Sequence, residues 1–313
     1  MRNPNCIRRR LLRISAQCYA PHEADAICRW SLIPAGGRNP EECSLKQDSA
    51  LVGSIDLDGE GKAIVVAFRG TLARLGSDEA RTESALDWLN NGECAQIPFT
   101  HPDGRPQGKV HRGFLEAVNN VWKDEGGRQG VGSRLQRLID EHADWPIYVT
   151  GHSKGGAMAN IVALKIVDRW PHAKVRVVTF AGARPGDAAF AAEYAARVPN
   201  SVRYESWPDL VPELPPGGVG SWWLRTVIAP LLRIGKLKDL RIADLDPFYP
   251  VGTRVPAGNW MGDGARRGLA AITGLFGYKI SPRKLILAHA IAPGTSLDEL
   301  VCSDAGVDRC DHR

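Results

Sequence analysis

The chain lacks any stretch resembling a membrane-spanning helix: none of its 313 residues falls in a run near the roughly 20 consecutive apolar positions such a helix needs. The apolar core of a secretory signal is missing too. Arg8-Arg9-Arg10 is followed only by Leu11-Leu12 before Arg13 intervenes, so the expected location is cytoplasmic, with export by another route left open. Cysteine is sparse and badly spaced for metal or redox work. The seven cysteines are odd in number and never fall in Cys-x-x-Cys, which argues against a zinc site and a full disulfide framework. Four of them (Cys6, Cys18, Cys28 and Cys43) lie early and two (Cys302 and Cys310) late, so a few bridges stay possible in an exported protein. Charge of one sign is also lacking. A formal net charge of +5, with no Arg/Lys stripe interleaved with aromatics, is too weak for a nucleic-acid footprint, though it permits attraction to an anionic membrane surface. There is no internal repeat or low-complexity tract. Gly262-x-Gly264-x-x-x-Gly268 has one residue too many for a dinucleotide loop and no strand before it, so it reads as a loop and no cofactor is expected.

What is present centres on Tyr148-Val149-Thr150-Gly151-His152-Ser153-Lys154-Gly155-Gly156-Ala157. An apolar strand (Pro146-Ile147-Tyr148-Val149) runs into Gly-x-Ser-x-Gly and out into a helix over 157–167 made of small and apolar residues. A serine hydroxyl is a poor nucleophile at neutral pH. It needs a base within reach and N–H groups around the developing oxyanion, and a sharp strand-to-helix turn presents it to both. Gly151 and Gly155 leave room for that bend. With 33 glycines in the chain the bare pattern means little, and the flanking strand and helix give it weight.

A nucleophile at Ser153 requires a base and an acid, which in this strand-turn-helix architecture follow it as acid and then base. Only His172, His289 and His312 follow Ser153. His172 lies in the loop Trp170-Pro171-His172-Ala173, ahead of any acid loop, and His312 is penultimate. His289, in the apolar run Leu285-Ile286-Leu287-Ala288-His289-Ala290-Ile291, is left as the base; a lone histidine there would otherwise be read as a core residue. Asp209 fits the acid. Ser201-Val202-Arg203-Tyr204-Glu205-Ser206-Trp207 alternates like a strand, and the proline-stiffened Pro208-Asp209-Leu210-Val211-Pro212 follows it. Glu205 and Glu213 are rivals, and Asp209 could instead be a turn-forming aspartate. For the oxyanion, the backbone N–H of Lys154 is one donor. Thr71 is the other, because Lys62-Ala63-Ile64-Val65-Val66-Ala67-Phe68 is a β-prone run ending in Arg69-Gly70-Thr71.

Together these segments resemble a known family. Ala67-Phe68-Arg69-Gly70-Thr71, Asp87-Trp88-Leu89, Val110-His111-Arg112-Gly113-Phe114-Leu115, the elbow, Thr179-Phe180-Ala181-Gly182-Ala183-Arg184-Pro185-Gly186 and Asp209-Leu210-Val211-Pro212 occur in the order seen in the class 3 (fungal-type) triacylglycerol lipases. The resemblance spans 51–216, and Ser15-Ala16-Gln17-Cys18-Tyr19 looks like that family's first helix. It implies an α/β-hydrolase fold: a mostly parallel central sheet with helices on both faces and a helical insert near the C-terminus. It also implies a cofactor-free ester hydrolase using Ser153, Asp209 and His289, with an oxyanion hole at Thr71 and Lys154. Two features depart from the family. Lys154 stands where many relatives carry Leu, placing a cation beside the site, and residues 217–287 align with nothing.

The chain is expected to be one hydrolase domain over 1–313, with a core at 51–216 and an insert or cap at 217–287. A lid would fall at 72–86, but that segment carries five charges and few aliphatics, so it offers little apolar area to an oil surface. In the insert, Trp223, Leu224, Val227, Ile228, Leu231 and Ile234 fall on one side of a helical projection and Arg225, Arg233 and Lys236 on the other. Such a segment either packs on a core or lies on an anionic membrane. The expected activity is therefore a lipase or carboxylesterase. A phospholipase A-type membrane-active enzyme is the alternative, and a non-catalytic binding protein of the same fold is the third reading.

Overall fold

A computed structural model of the chain describes residues 5–19, 29–34, 48–57, 61–71, 95–127, 129–206, 209, 211–215, 247–256 and 301. The strands among them are β1 (Arg29–Pro34), β2 (Ser49–Asp56), β3 (Lys62–Phe68), β4 (Gln96–Thr100), β5 (Pro106–His111), β6 (Ile147–His152), β7 (Val175–Phe180), β8 (Ser201–Glu205) and β9 (Thr253–Pro256). The helices are α1 (Asn5–Gln17), α2 (Arg112–Trp122), α3 (Val131–Glu141), α4 (Lys154–Arg169) and α5 (Ala188–Arg197). Seven strands form the main sheet in the order β1-β2-β3-β6-β7-β8-β9, and β4 pairs with β5 separately. The first three strands are antiparallel, and every pairing from β3 to β9 is parallel. Parallel neighbours need a crossover, which α4 supplies between β6 and β7 and α5 between β7 and β8.

The apolar runs are continuous because both faces of the sheet are covered. Along β3 the side chains alternate: Ile64, Val66 and Phe68 join one core and Ala63, Val65 and Ala67 the other. On the first face lie Phe114 of α2, Leu135 of α3, Met158 and Ile161 of α4, and Phe190 and Tyr194 of α5. The second face is packed by Leu11, Ile14 and Cys18 of the N-terminal segment, a helical spacing set against Tyr148, Val178, Phe180 and Tyr204. Cys18 is a free thiol there, and burial pushes its pKa up to about 12, so it packs as a small apolar group and is inert as a nucleophile.

Register sets where the site falls. Phe68 pairs with Gly151, His152 with Phe180, and Phe180 with Tyr204. The carboxyl ends of β3, β6, β7 and β8 are thus level, and the turns beyond them open along one edge, where open α/β sheets bind their ligands.

Within the stretch 217–287, residues Thr253–Pro256 form a strand: β9 pairs parallel to β8, Val202 with Thr253 through Glu205 with Pro256. β-branched Thr253 and Val255 suit a strand, and Pro256 is tolerated because β9 is the outermost described strand on that side. The polar 72–86 segment and the amphipathic stretch around 223–236 lie outside the described residues. No described helix is long and apolar enough to cross a membrane.

Candidate active site

β6 delivers the chain directly into the elbow. Ser153 takes φ 59 and ψ −131, a left-handed backbone that costs a residue bearing a Cβ on the order of 1–3 kcal/mol. Surrounding hydrogen bonds hold it there. Its N–H donates to the Phe180 carbonyl at 3.1 Å, and its own carbonyl accepts from the N–H groups of Gly156 at 2.9 Å and Ala183 at 3.3 Å. The glycines are needed for contact between backbones. A Cβ on Gly151 would lie 2.2 Å from the Gly155 carbonyl oxygen, and one on Gly155 would lie 2.2 Å from that of Phe68. The elbow is therefore locked against the end of β3, and Ser153 is only 2% exposed.

That packing also places Thr71. Gly70, just before it, is wedged so that a Cβ would meet the Tyr19 hydroxyl at 2.0 Å, the His152 carbonyl oxygen at 2.7 Å and the Ser153 Cβ at 3.0 Å. Thr71 is half-buried on the turn that follows. Lys154 opens α4, so its backbone N–H is among the amides that a helix start leaves without intrahelical partners. Its side chain, the cation expected beside the site, has a carboxylate partner. Lys154 Nζ lies 2.7 Å from Asp48 Oδ1, and Asp48 Oδ2 accepts from Asn120 Nδ2 at 3.3 Å. The ammonium is thus neutralised by a carboxylate at the start of β2.

His111, in the Val110-His111-Arg112-Gly113 motif, caps α2 by accepting the Phe114 N–H on Nδ1 at 3.3 Å, with its ring stacked on Phe114 at 4.0 Å. Burial, and secondarily the charge of Lys154, pushes its pKa down to about 3. The folded protein therefore keeps His111 neutral while the unfolded chain takes up a proton below about pH 6.5. Stability should fall as pH drops from 6.5 towards 3, by about 2–3 kcal/mol for this residue between pH 7 and 4.5. Urea midpoints at the two pH values should differ much less in His111→Asn, which keeps a capping acceptor without the titration; an equal drop in both proteins would assign the acid sensitivity elsewhere.

Asp209 is buried beyond β8. Its N–H donates to the Ser206 carbonyl, and Oδ1 accepts from the Val211 N–H, both at 2.9 Å. The turn-forming aspartate and the candidate acid are thus the same side chain, fixed by an Asx turn. Both rivals have arginine partners. Glu205 pairs with Arg203 on its own strand and lies 2.8 Å from Arg254 Nε of β9, with burial raising its pKa against those two cations. Glu213 pairs with Arg184. Arg184 also donates its backbone N–H to Leu214 O at 2.7 Å and its Nε to Pro212 O at 3.2 Å, strapping the acid loop to the turn after β7.

His289 lies outside the described residues, as does His312. His172 is exposed in the turn before β7, at the opposite edge of the sheet from Ser153, which removes it as a base. Tyr19, Asp48 and Arg184 were missed as site residues by sequence reasoning. Tyr19 and Arg184 stand inside recognisable motifs, but nothing local says what they touch. Among the described residues no group of three or more His, Cys, Asp or Glu side chains is placed to hold a metal ion.

A mostly parallel sheet with a strained serine elbow at its carboxyl edge is the arrangement of the α/β-hydrolase fold. The profile described as "Lipase (class 3)" matches residues 65–218, 154 of the 313 residues, and this segment is similar to the class 3 lipases. It is 40% identical over 154 residues to a lipase of Caenorhabditis elegans, covering 49% of this chain and 38% of that protein. It is 29% identical over 181 residues to a phospholipase A1-II of Oryza sativa subsp. indica, covering 50% and 42%. The chain thus spans about two fifths of the length of these two relatives. A fungal lipase solved as an inhibitor complex shares the fold, with TM-score 0.51 at 20% identity over 68% of this chain and 74% of that one.

Proposed function

We propose that the protein is a serine carboxylic-ester hydrolase acting on lipid-like esters. The observation that carries this reading is the backbone of Ser153, held at positive φ between β6 and the amino end of α4. Such a strained turn presents a nucleophile to a base and to oxyanion donors. In the proposed cycle His289 takes the Ser153 proton as Oγ attacks the ester carbonyl. The N–H groups of Thr71 and Lys154 receive the oxyanion, Asp209 orients the histidine, and the alcohol leaves with the proton returned by His289. Water, activated by the same base, then releases the acid. With the Lys154 charge held by Asp48, this residue's contribution is its amide.

The name of the rice relative, a phospholipase A1, supports a second reading in which phospholipids are the substrate and the basic amphipathic 223–236 sequence meets an anionic membrane. A substrate panel separates the two. p-Nitrophenyl butyrate and tributyrin should be hydrolysed, and fatty acid release from phosphatidylglycerol vesicles should be slower. Faster release from the vesicles would make the enzyme a phospholipase A. Failure on every ester, together with failure of a fluorophosphonate to label Ser153, would leave only a binding role for the fold.

A further inference from the structure

The C-terminal end of the N-terminal helical segment reaches into the site. The Tyr19 hydroxyl lies 2.8 Å from His152 Nδ1, the two rings meet edge to face at 5.7 Å, and the Gly70 N–H is bonded to the same hydroxyl. One phenol oxygen therefore touches two chain segments that the reaction must hold in register: the turn bearing Thr71 and the elbow bearing Ser153. The space beside Gly70 is filled, since an added Cβ would meet the hydroxyl, the His152 carbonyl oxygen and the Ser153 Cβ. Tyr19 also lies outside residues 65–218, the segment that matches the family profile.

We propose that Tyr19 is a positioning residue for the oxyanion hole, its hydroxyl tying the Gly70 N–H to His152 Nδ1 so that α1 fixes the distance from Thr71 to Ser153. The inference rests on Ser153 being the nucleophile, as proposed above. A donor displaced by a fraction of an ångström still lets substrate bind but stabilises the transition state less. Burial drives the Tyr19 phenol pKa above its usual range, so the hydroxyl stays protonated and the link persists across the working pH range.

The test is Tyr19→Phe, which keeps the ring and removes the oxygen. With p-nitrophenyl butyrate, kcat should fall roughly tenfold, with KM within about twofold and the pH profile unchanged. Inhibition by phenylboronic acid, which forms a tetrahedral adduct on serine, should weaken in proportion to the fall in kcat. A merely structural tyrosine would lower the melting temperature without moving that inhibition constant per active site titrated. A second series covers poor folding of the first: in a His152→Leu background, Tyr19→Phe should add less than a twofold further loss, because the link is already broken. Wild-type turnover retained by Tyr19→Phe, or losses that multiply in the double variant, would overturn the proposal. A wild-type protein inert to both ester and fluorophosphonate would overturn the underlying assignment of Ser153 instead.

Discussion

Ser153→Ala is expected to lower kcat for p-nitrophenyl esters by about a millionfold and to abolish fluorophosphonate labelling. The substitution is well controlled by the structure. Alanine keeps the Cβ, so the left-handed strain at φ 59 is the same in both proteins. The hydrogen bonds that hold the elbow, from Ser153 N–H to Phe180 and to the Ser153 carbonyl from Gly156 and Ala183, are all backbone. The melting temperature should therefore stay within a few degrees of wild type, and the loss can be assigned to chemistry. Substantial esterase activity remaining in a protein that melts normally would mean that another residue is the nucleophile.

Asp209→Asn is expected to cost about 10³- to 10⁴-fold in kcat/KM. Asparagine preserves the shape, and its carbonyl oxygen can still accept the Val211 N–H that closes the loop. What it removes is a carboxylate able to hold the catalytic histidine in the right tautomer and to stabilise its cation. Glu205→Gln and Glu213→Gln serve as comparisons. Each of these carboxylates is engaged by arginine, Glu205 by Arg203 and Arg254 and Glu213 by Arg184, so their loss should disturb stability more than turnover and leave activity within about fivefold. Near-normal turnover by Asp209→Asn, with collapse in one of the glutamate variants, would transfer the acid role to that glutamate.

Sequence patterning revealed most of the scaffold and part of the site. β3 was expected at 62–68 and spans Lys62–Phe68, because a run of β-branched and aromatic residues buried on both faces has few other stable uses. The helix after the elbow was expected from 157 and begins at Lys154. Gly155 and Gly156 look like helix breakers locally, but the backbones of Phe68 and Gly182 occupy the space their side chains would need. Tertiary partners were not legible at all. Lys154 and Asp48 are 106 positions apart, and Tyr19 and His152 are 133 apart; no local period encodes a meeting across the sheet. β9 escaped notice because four residues ending in proline carry too little pattern to stand out.

The position of β9 bears on how such an enzyme can change over evolutionary time. The chain leaves the sheet at β8, passes Asp209 and the Arg184 strap, and returns to the same edge at β9, where Arg254 grips Glu205. Both ends of this excursion are anchored in the scaffold, and lengthening a connection adds only a slowly growing entropic cost, about 0.6 kcal/mol per doubling. Sequence between these anchor points can therefore be replaced or extended without displacing Asp209, so under the proposed activity specificity would vary more freely than the chemistry.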